Sequence, residues 1–219
     1  MNDLELQGWT VVPTRIDSGV LCKLRDEMLP GGTAGTRCLL DHLLVKETVV
    51  RLREELAESG YLPSSAVAIQ AVAFDKTPEI NWKVAWHQDL MFPFAAPVRT
   101  PGFTLPCKKD GIDYARPPRK VLEDMFTVRL HLDDCDETNG PLRACTGSHR
   151  HGILDSGSIL LRVKEHPQAT CLAKTGDALL LKPLIVHASS QAVMPRHRRV
   201  LHVVYHSGTV LTESWHRAI

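Results

Sequence analysis

Two apolar stripes of helical spacing open the chain, and strand-like runs follow them. In residues 17 to 29, DSGVLCKLRDEML, Val20, Leu21, Leu24 and Met28 recur on one side of a helix with Asp17 placed to cap its first turn. Residues 46 to 58, KETVVRLREELAE, carry a second stripe of Val49, Val50, Leu52 and Leu56 that Gly60 ends, and PGGTAG (30 to 35) breaks the chain between the two. A short strand is expected at GWTVVP, 8 to 13. From residue 66 onward the pattern is of runs rich in valine, leucine and isoleucine parted by Pro, Gly and Asp: AVAIQAVAF, DMFTVRLHLDD, TCLAKTGDALLL, LIVHASSQAV and RRVLHVVYHSG. Two helices ahead of many short strands predict a mainly β sandwich or barrel decorated by helices.

Composition narrows the function more than the fold. At 219 residues, one domain spanning 1 to 219 is expected. Lysine and arginine number 26 against 25 acidic residues, a formal charge of +1, so neither nucleic acid nor an anionic membrane is expected as partner; a small-molecule substrate is. The six cysteines form no CxxC pair, the opening MNDLELQGWTVVP is no signal peptide, and no apolar run reaches membrane-spanning length, so a reducing cytoplasm is expected.

Residues 98 to 120, VRTPGFTLPCKKDGIDYARPPRK, read as a long connection, either a plain surface excursion or a lid. Its Lys108, Lys109, Arg116 and Arg119 suggest a substrate with a carboxylate or phosphate.

The candidate chemistry begins in AWHQDLMFPF, residues 85 to 94. In an extended strand i and i+2 share a face, so His87 and Asp89 would stand side by side, and a carboxylate among apolar neighbours needs a cation or several hydrogen bonds. A second pair, His131 and Asp133, competes, but it runs into DDCDETNGP, where acidic residues form turns. His187, ending the apolar LLLKPLIVH, is the candidate third ligand. Two histidines and one carboxylate suit non-heme Fe(II) and dioxygen. Ser189 lies two residues on, and Arg198 opens the next strand; a hydroxyl and a guanidinium fork beside a metal suit a carboxylate-bearing co-substrate. Thr127, Arg129 and His131 alternate on one face of FTVRLHL, from which Arg129 would reach a pocket or else pair with an acidic neighbour.

Together, WHQD (86 to 89), NGPLRACTGSHRHG (139 to 152), VHASS (186 to 190) and the Arg pair at 198 and 199 before VLHVVY resemble the phytanoyl-CoA dioxygenase family of iron- and 2-oxoglutarate-dependent oxygenases. The resemblance implies a double-stranded β-helix of jelly-roll, cupin-like type with helices on its outer sheet. It implies iron ligands at His87, Asp89 and His187, a partner for the distal carboxylate of 2-oxoglutarate at Arg198, a supporting hydroxyl at Ser189 and a co-substrate contact at Gln70. The implied reaction consumes 2-oxoglutarate and O2, releases succinate and CO2, and hydroxylates a small molecule; an intact Asp89 argues against halogenation. Thr146 stands where the family's PGSH signature has proline, with Gly147, Ser148 and His149 expected to shape a turn. His202 and His206 share the parity of Arg198 and are expected to face inward.

Two other readings use the same residues. A cupin-like zinc hydrolase or isomerase would need the three ligands but neither Arg198 nor Ser189. A non-catalytic sensor would bind 2-oxoglutarate or another ligand without turnover. Succinate formation separates both from the oxygenase.

Overall fold

The computed structural model describes residues 2–29 and 34–219. Positions 30 to 33 of the expected break lie outside the described residues. Asp17 caps helix α2 (Ser18–Met28) through the amide of Gly19, as its place in the sequence predicts. Helix α3 (Leu43–Glu58) begins three residues earlier than expected, because Val45 extends the buried stripe of Val49, Leu52 and Leu56 back by one turn. A short helix α1 (Asp3–Gln7) precedes strand β1 (Trp9–Pro13).

The main sheet contains β1, β2 (Gly35–Thr36), β3 (Val67–Lys76), β8 (Met125–His131), β11 (Asp177–Leu181) and β13 (Arg198–His206), in the order β1-β11-β8-β13-β3-β2. The second sheet has the order β10-β9-β12-β4, from Gln168–Cys171, Leu142–Cys145, His187–Ser189 and Val84–His87. All pairings are antiparallel. The two sheets line opposite walls of one cavity, which is the expected cupin-like jelly roll.

Alternation along each strand decides what faces where. On β8, Val128 and Leu130 turn outward onto α2 and α3, joined by Leu201, Val203 and Tyr205 of β13 and by the alanines of β3. Small residues at Ala68, Ala71 and Ala73 let α3 lie close, and the Tyr205 hydroxyl donates to the Val49 carbonyl at 2.7 Å. The opposite parity carries Arg129, Arg198 and His202 to the inner side.

Some elements differ from the sequence reading. The run 170 to 181 is two strands, β10 and β11, in different sheets, parted by a turn at Gly176 (φ +90°). Only His187–Ser189 of the run 184 to 193 is strand. Residues 156 to 165 form helix α5 (Ser156–Glu165), capped by Asp155, which the apolar pattern hides because none of its side chains is fully buried. The long connection is not irregular either. It folds as a hairpin of β6 (Thr104–Lys109) and β7 (Ile112–Arg116), with β5 (Phe92–Phe94) completing a third sheet. Its turn is Asp110-Gly111, both at positive φ (49° and 80°), a dipeptide signal for a two-residue hairpin.

Candidate metal centre

His87 closes β4, and His187 opens β12 directly opposite it in the ladder. Their rings stand 4.3 Å apart between centroids. Asp89 lies beyond the end of β4, so the pair is not presented by one extended strand as the spacing suggested. The chain turns at Gln88, which is buried and tied to backbone groups on neighbouring segments. Its amide nitrogen donates to the carbonyls of Gly152 (2.8 Å) and Leu184 (2.6 Å), and its oxygen accepts from Leu154 N–H (2.9 Å). The Asp89 amide donates to the Pro183 carbonyl at 3.2 Å. These bonds hold the two ligands of one strand end against the segment leading into His187.

One ligand atom from each of His87, Asp89 and His187 lies within 4.8 Å of the others. His87 Nδ1 is 2.8 Å from the Ala85 carbonyl and His187 Nδ1 is 3.0 Å from that of Ile185. A carbonyl only accepts, so each Nδ1 carries a proton and each Nε2 is left facing Asp89. The Nε2 atoms stand 3.5 and 3.6 Å from the two carboxylate oxygens, too far for well-formed hydrogen bonds. The three groups therefore converge without satisfying one another, as the donor set of a divalent metal does.

The charges of the three groups are coupled: burial lowers the His87 imidazole, but its contact with Asp89 outweighs this and raises it. Burial alone would raise the Asp89 carboxyl, but His187, His87 and His202 outweigh it and hold Asp89 ionised, far below the usual carboxylate range. Burial pushes His187 down to about 4 against the pull of Asp89, so its imidazole is neutral near pH 7 and free to ligate.

The same cavity, about 560 Å3, is lined by Arg198, Ser189, Arg129, His202 and Gln70. Arg198 is buried and donates to the Gly140 carbonyl at 2.7 Å, while its Nε has no partner. Gly140 has φ +64°, and a Cβ there would come within 2.9 Å of the Ser190 carbonyl, so the turn before β9 needs glycine. Lys76, fully buried opposite Arg198, donates to that Ser190 carbonyl at 2.6 Å; burial and then Arg198 lower its pKa to about 8.

Other expected residues are less central. Thr127 is fully buried, its hydroxyl has no hydrogen-bond partner among the described residues, and it is not among the residues lining the cavity. Among the described residues Arg129 takes no acidic partner; an Nη lies 3.2 Å from His202 Nδ1. His206 lies against Trp215 rather than on the cavity wall. The rival pair is structural: His131 is buried with no hydrogen bond among the described residues, and Asp133 takes both Arg199 (2.7 and 2.8 Å) and Arg25. In the TGSH turn the Ser148 hydroxyl accepts from Val186 N–H at 2.8 Å, bracing the residue before His187, and His149 packs against Gly8. Sequence reasoning missed Gln88 inside the very motif it singled out, and the walls formed by Phe74 and Trp82, whose only signal was aromaticity near the ligands.

Fold and site together define a jelly roll with a two-histidine, one-carboxylate centre in its inner cavity. The profile of the phytanoyl-CoA dioxygenase family matches residues 39–200, and the chain belongs to that family. No curated protein matches it significantly. Several solved structures share the fold. The epimerase SnoN from nogalamycin biosynthesis, in complex with Fe3+, alpha ketoglutarate and nogalamycin RO, is 16% identical with a TM-score of 0.65, over 94% of this chain and 82% of that one. EctD from S. alaskensis with 2-oxoglutarate and 5-hydroxyectoine is 14% identical (TM-score 0.63; 94% and 74%). HygX from Streptomyces hygroscopicus with iron bound is 17% identical (TM-score 0.64; 96% and 86%).

Proposed function

We propose that this chain is a single Fe(II)- and 2-oxoglutarate-dependent dioxygenase domain that hydroxylates a small molecule and releases succinate and CO2. The observation that carries the proposal is the convergence of His87, Asp89 and His187 within 4.8 Å in the cavity that Arg198 and Ser189 also line. Ferrous iron with 2-oxoglutarate and O2 would supply the oxidising power there.

The chain's own residues do the rest. His87 and His187 offer Nε2 lone pairs, and Asp89 adds the one negative charge. Arg198 would hold the distal carboxylate of 2-oxoglutarate, and the Ser189 hydroxyl would donate beside it. Arg129 and Gln70 face the same space and orient co-substrate or substrate. Phe74, Trp82 and Phe92 on the walls keep water from the reacting atoms.

Among the described residues no helix is long and apolar enough to cross a membrane. All six cysteines are free thiols, which fits a reducing compartment, the cytoplasm.

The test is aerobic incubation with Fe(II) and 2-oxoglutarate against a panel of small molecules, with succinate and product mass both followed. An epimerase shares the fold, so products without added oxygen are scored too. Substrate-stimulated succinate that His87→Ala abolishes is expected; full succinate production by that variant overturns the metal assignment. Binding of 2-oxoglutarate with no succinate under any substrate favours a sensor instead.

A further inference from the structure

We propose that the ligand this cavity takes as substrate is an apolar molecule carrying an anionic group, received at the rim by Lys109, Arg37 and the Tyr114 hydroxyl. The inference rests on the oxygenase reading of the cavity and names its substrate class.

Charge is the first observation. The whole chain is nearly balanced, yet the cavity wall carries Arg37, Lys109, Arg129 and Arg198 against a single carboxylate, Asp89. A ferrous dication and a 2-oxoglutarate dianion bound there would leave that excess unchanged. Positive charge gathered in a concave, low-dielectric wall attracts an anion that the balanced exterior does not.

The second observation is which cations are free. On the hairpin, Lys108 pairs with Asp113 (3.6 Å), Arg116 donates to the Thr104 hydroxyl (2.8 Å), and just beyond it Arg119 pairs with Glu123 (2.6 Å). None of these three lines the cavity. Lys109 does; it makes no ion pair among the described residues, and its Nζ sits 5.3 Å from the centre of the Tyr114 ring. Arg37 faces the same mouth and shares Asp110 at 2.9 Å. That pair is exposed on both sides, and such pairs contribute about 0–1 kcal/mol, so a ligand anion can take the guanidinium over.

Tyr114 completes the group. Its ring is buried, its hydroxyl has no hydrogen-bond partner among the described residues, and burial raises its pKa, so it is a protonated donor left unused.

Apolar side chains make up much of the remaining wall. Phe74, Trp82, Phe92 and Leu105 line it, and Leu105 is 60% exposed on a left-handed backbone (φ 53°), held out at the mouth where solvent alone would not reward it. An anion at the hairpin directs an apolar body inward, toward the metal centre between the two large sheets.

The experiment compares anilinonaphthalene sulfonate with phenylnaphthylamine, the same ring system without the sulfonate, by fluorescence titration of the Fe(II)-loaded protein with 2-oxoglutarate under anaerobic conditions. The sulfonated probe is expected to bind at least about 10-fold more tightly. Lys109→Met, Arg37→Met and Tyr114→Phe should each weaken it about 3- to 10-fold and leave the neutral probe unchanged. Lys108→Met and Arg116→Met, cations on the same hairpin outside the wall, should change neither. Equal affinity for the two probes, no binding of the sulfonate, or an effect of the control variants as large as that of Lys109→Met overturns the proposal. Succinate formation is measured in parallel. Its absence with charge-selective binding intact would sink the oxygenase reading and leave the anion site standing.

Discussion

His202 and Arg129 are direct partners across the β8–β13 ladder, and His202 Nδ1 lies 3.2 Å from an Arg129 Nη. A guanidinium has only donors, so the imidazole accepts. Burial and the arginine push His202 down to about 3, which keeps the ring neutral. Its proton is therefore on Nε2, as a donor toward the cavity beside the metal centre. Replacing His202 by Phe strips Arg129 of its acceptor; a loss of about 1–3 kcal/mol in urea unfolding is expected, together with weaker 2-oxoglutarate binding. Asn, which keeps an acceptor oxygen, should recover part of both.

Arg198 is the anchor assigned to the distal carboxylate. Arg198→Met should raise the 2-oxoglutarate concentration needed for half-maximal succinate formation by roughly 30- to 1000-fold, the equivalent of ~2–4 kcal/mol for a buried charge-assisted pair. Arg198→Lys recovers little, because a point charge cannot reproduce the fork. Anaerobic Fe(II) titration should be unchanged in both variants.

Gln88 ties the ligand-bearing turn to Gly152, Leu154 and Leu184. Gln88→Leu removes all three bonds. Metal affinity should fall about 10- to 100-fold, as when outer-shell partners are lost. Calorimetric Fe(II) or Mn(II) titration reads this directly, and unchanged affinity would show that the turn holds without it.

His131 makes the fold acid-sensitive. Burial, then Arg129 and Arg198, push it down to about 3 from an ordinary 6.5, so the folded state binds fewer protons than the unfolded state between those values. Stability from this residue is therefore full above pH 6.5 and declines as pH falls below it, by up to about 1.4 kcal/mol per pH unit. His131→Leu should flatten that decline. Urea unfolding at pH 7.5 and pH 5 checks it: the variant gains on the wild type only at the lower pH.

The sequence reading succeeded where the information is periodic or clustered. Asp17 and the two apolar stripes mark α2 and α3 because burial against a sheet enforces their spacing. The Val-rich runs are legible as strands from their branched content and the Pro, Gly and Asp between them. The reading failed where an element's reason is not written in its own residues. Helix α5 buries no side chain completely, and the hairpin within 98 to 120 gives no strand signal because its exposed β6 shows no apolar alternation. Thr127 shares parity with Arg129 yet does not reach the cavity wall, since parity selects a face and not a depth.

Residue identity alone supplies the candidate donors: two histidines, one aspartate, one serine and an arginine. Their convergence is a property of pairing between distant strands, for a ladder register that sets His87 opposite His187 costs nothing local and leaves no local trace. The same holds for charge. Lys108 and Lys109 are neighbours in the chain, and it is the hairpin's packing that neutralises one with Asp113 and turns the other to the cavity, because side chains find their partners through space and not along the backbone.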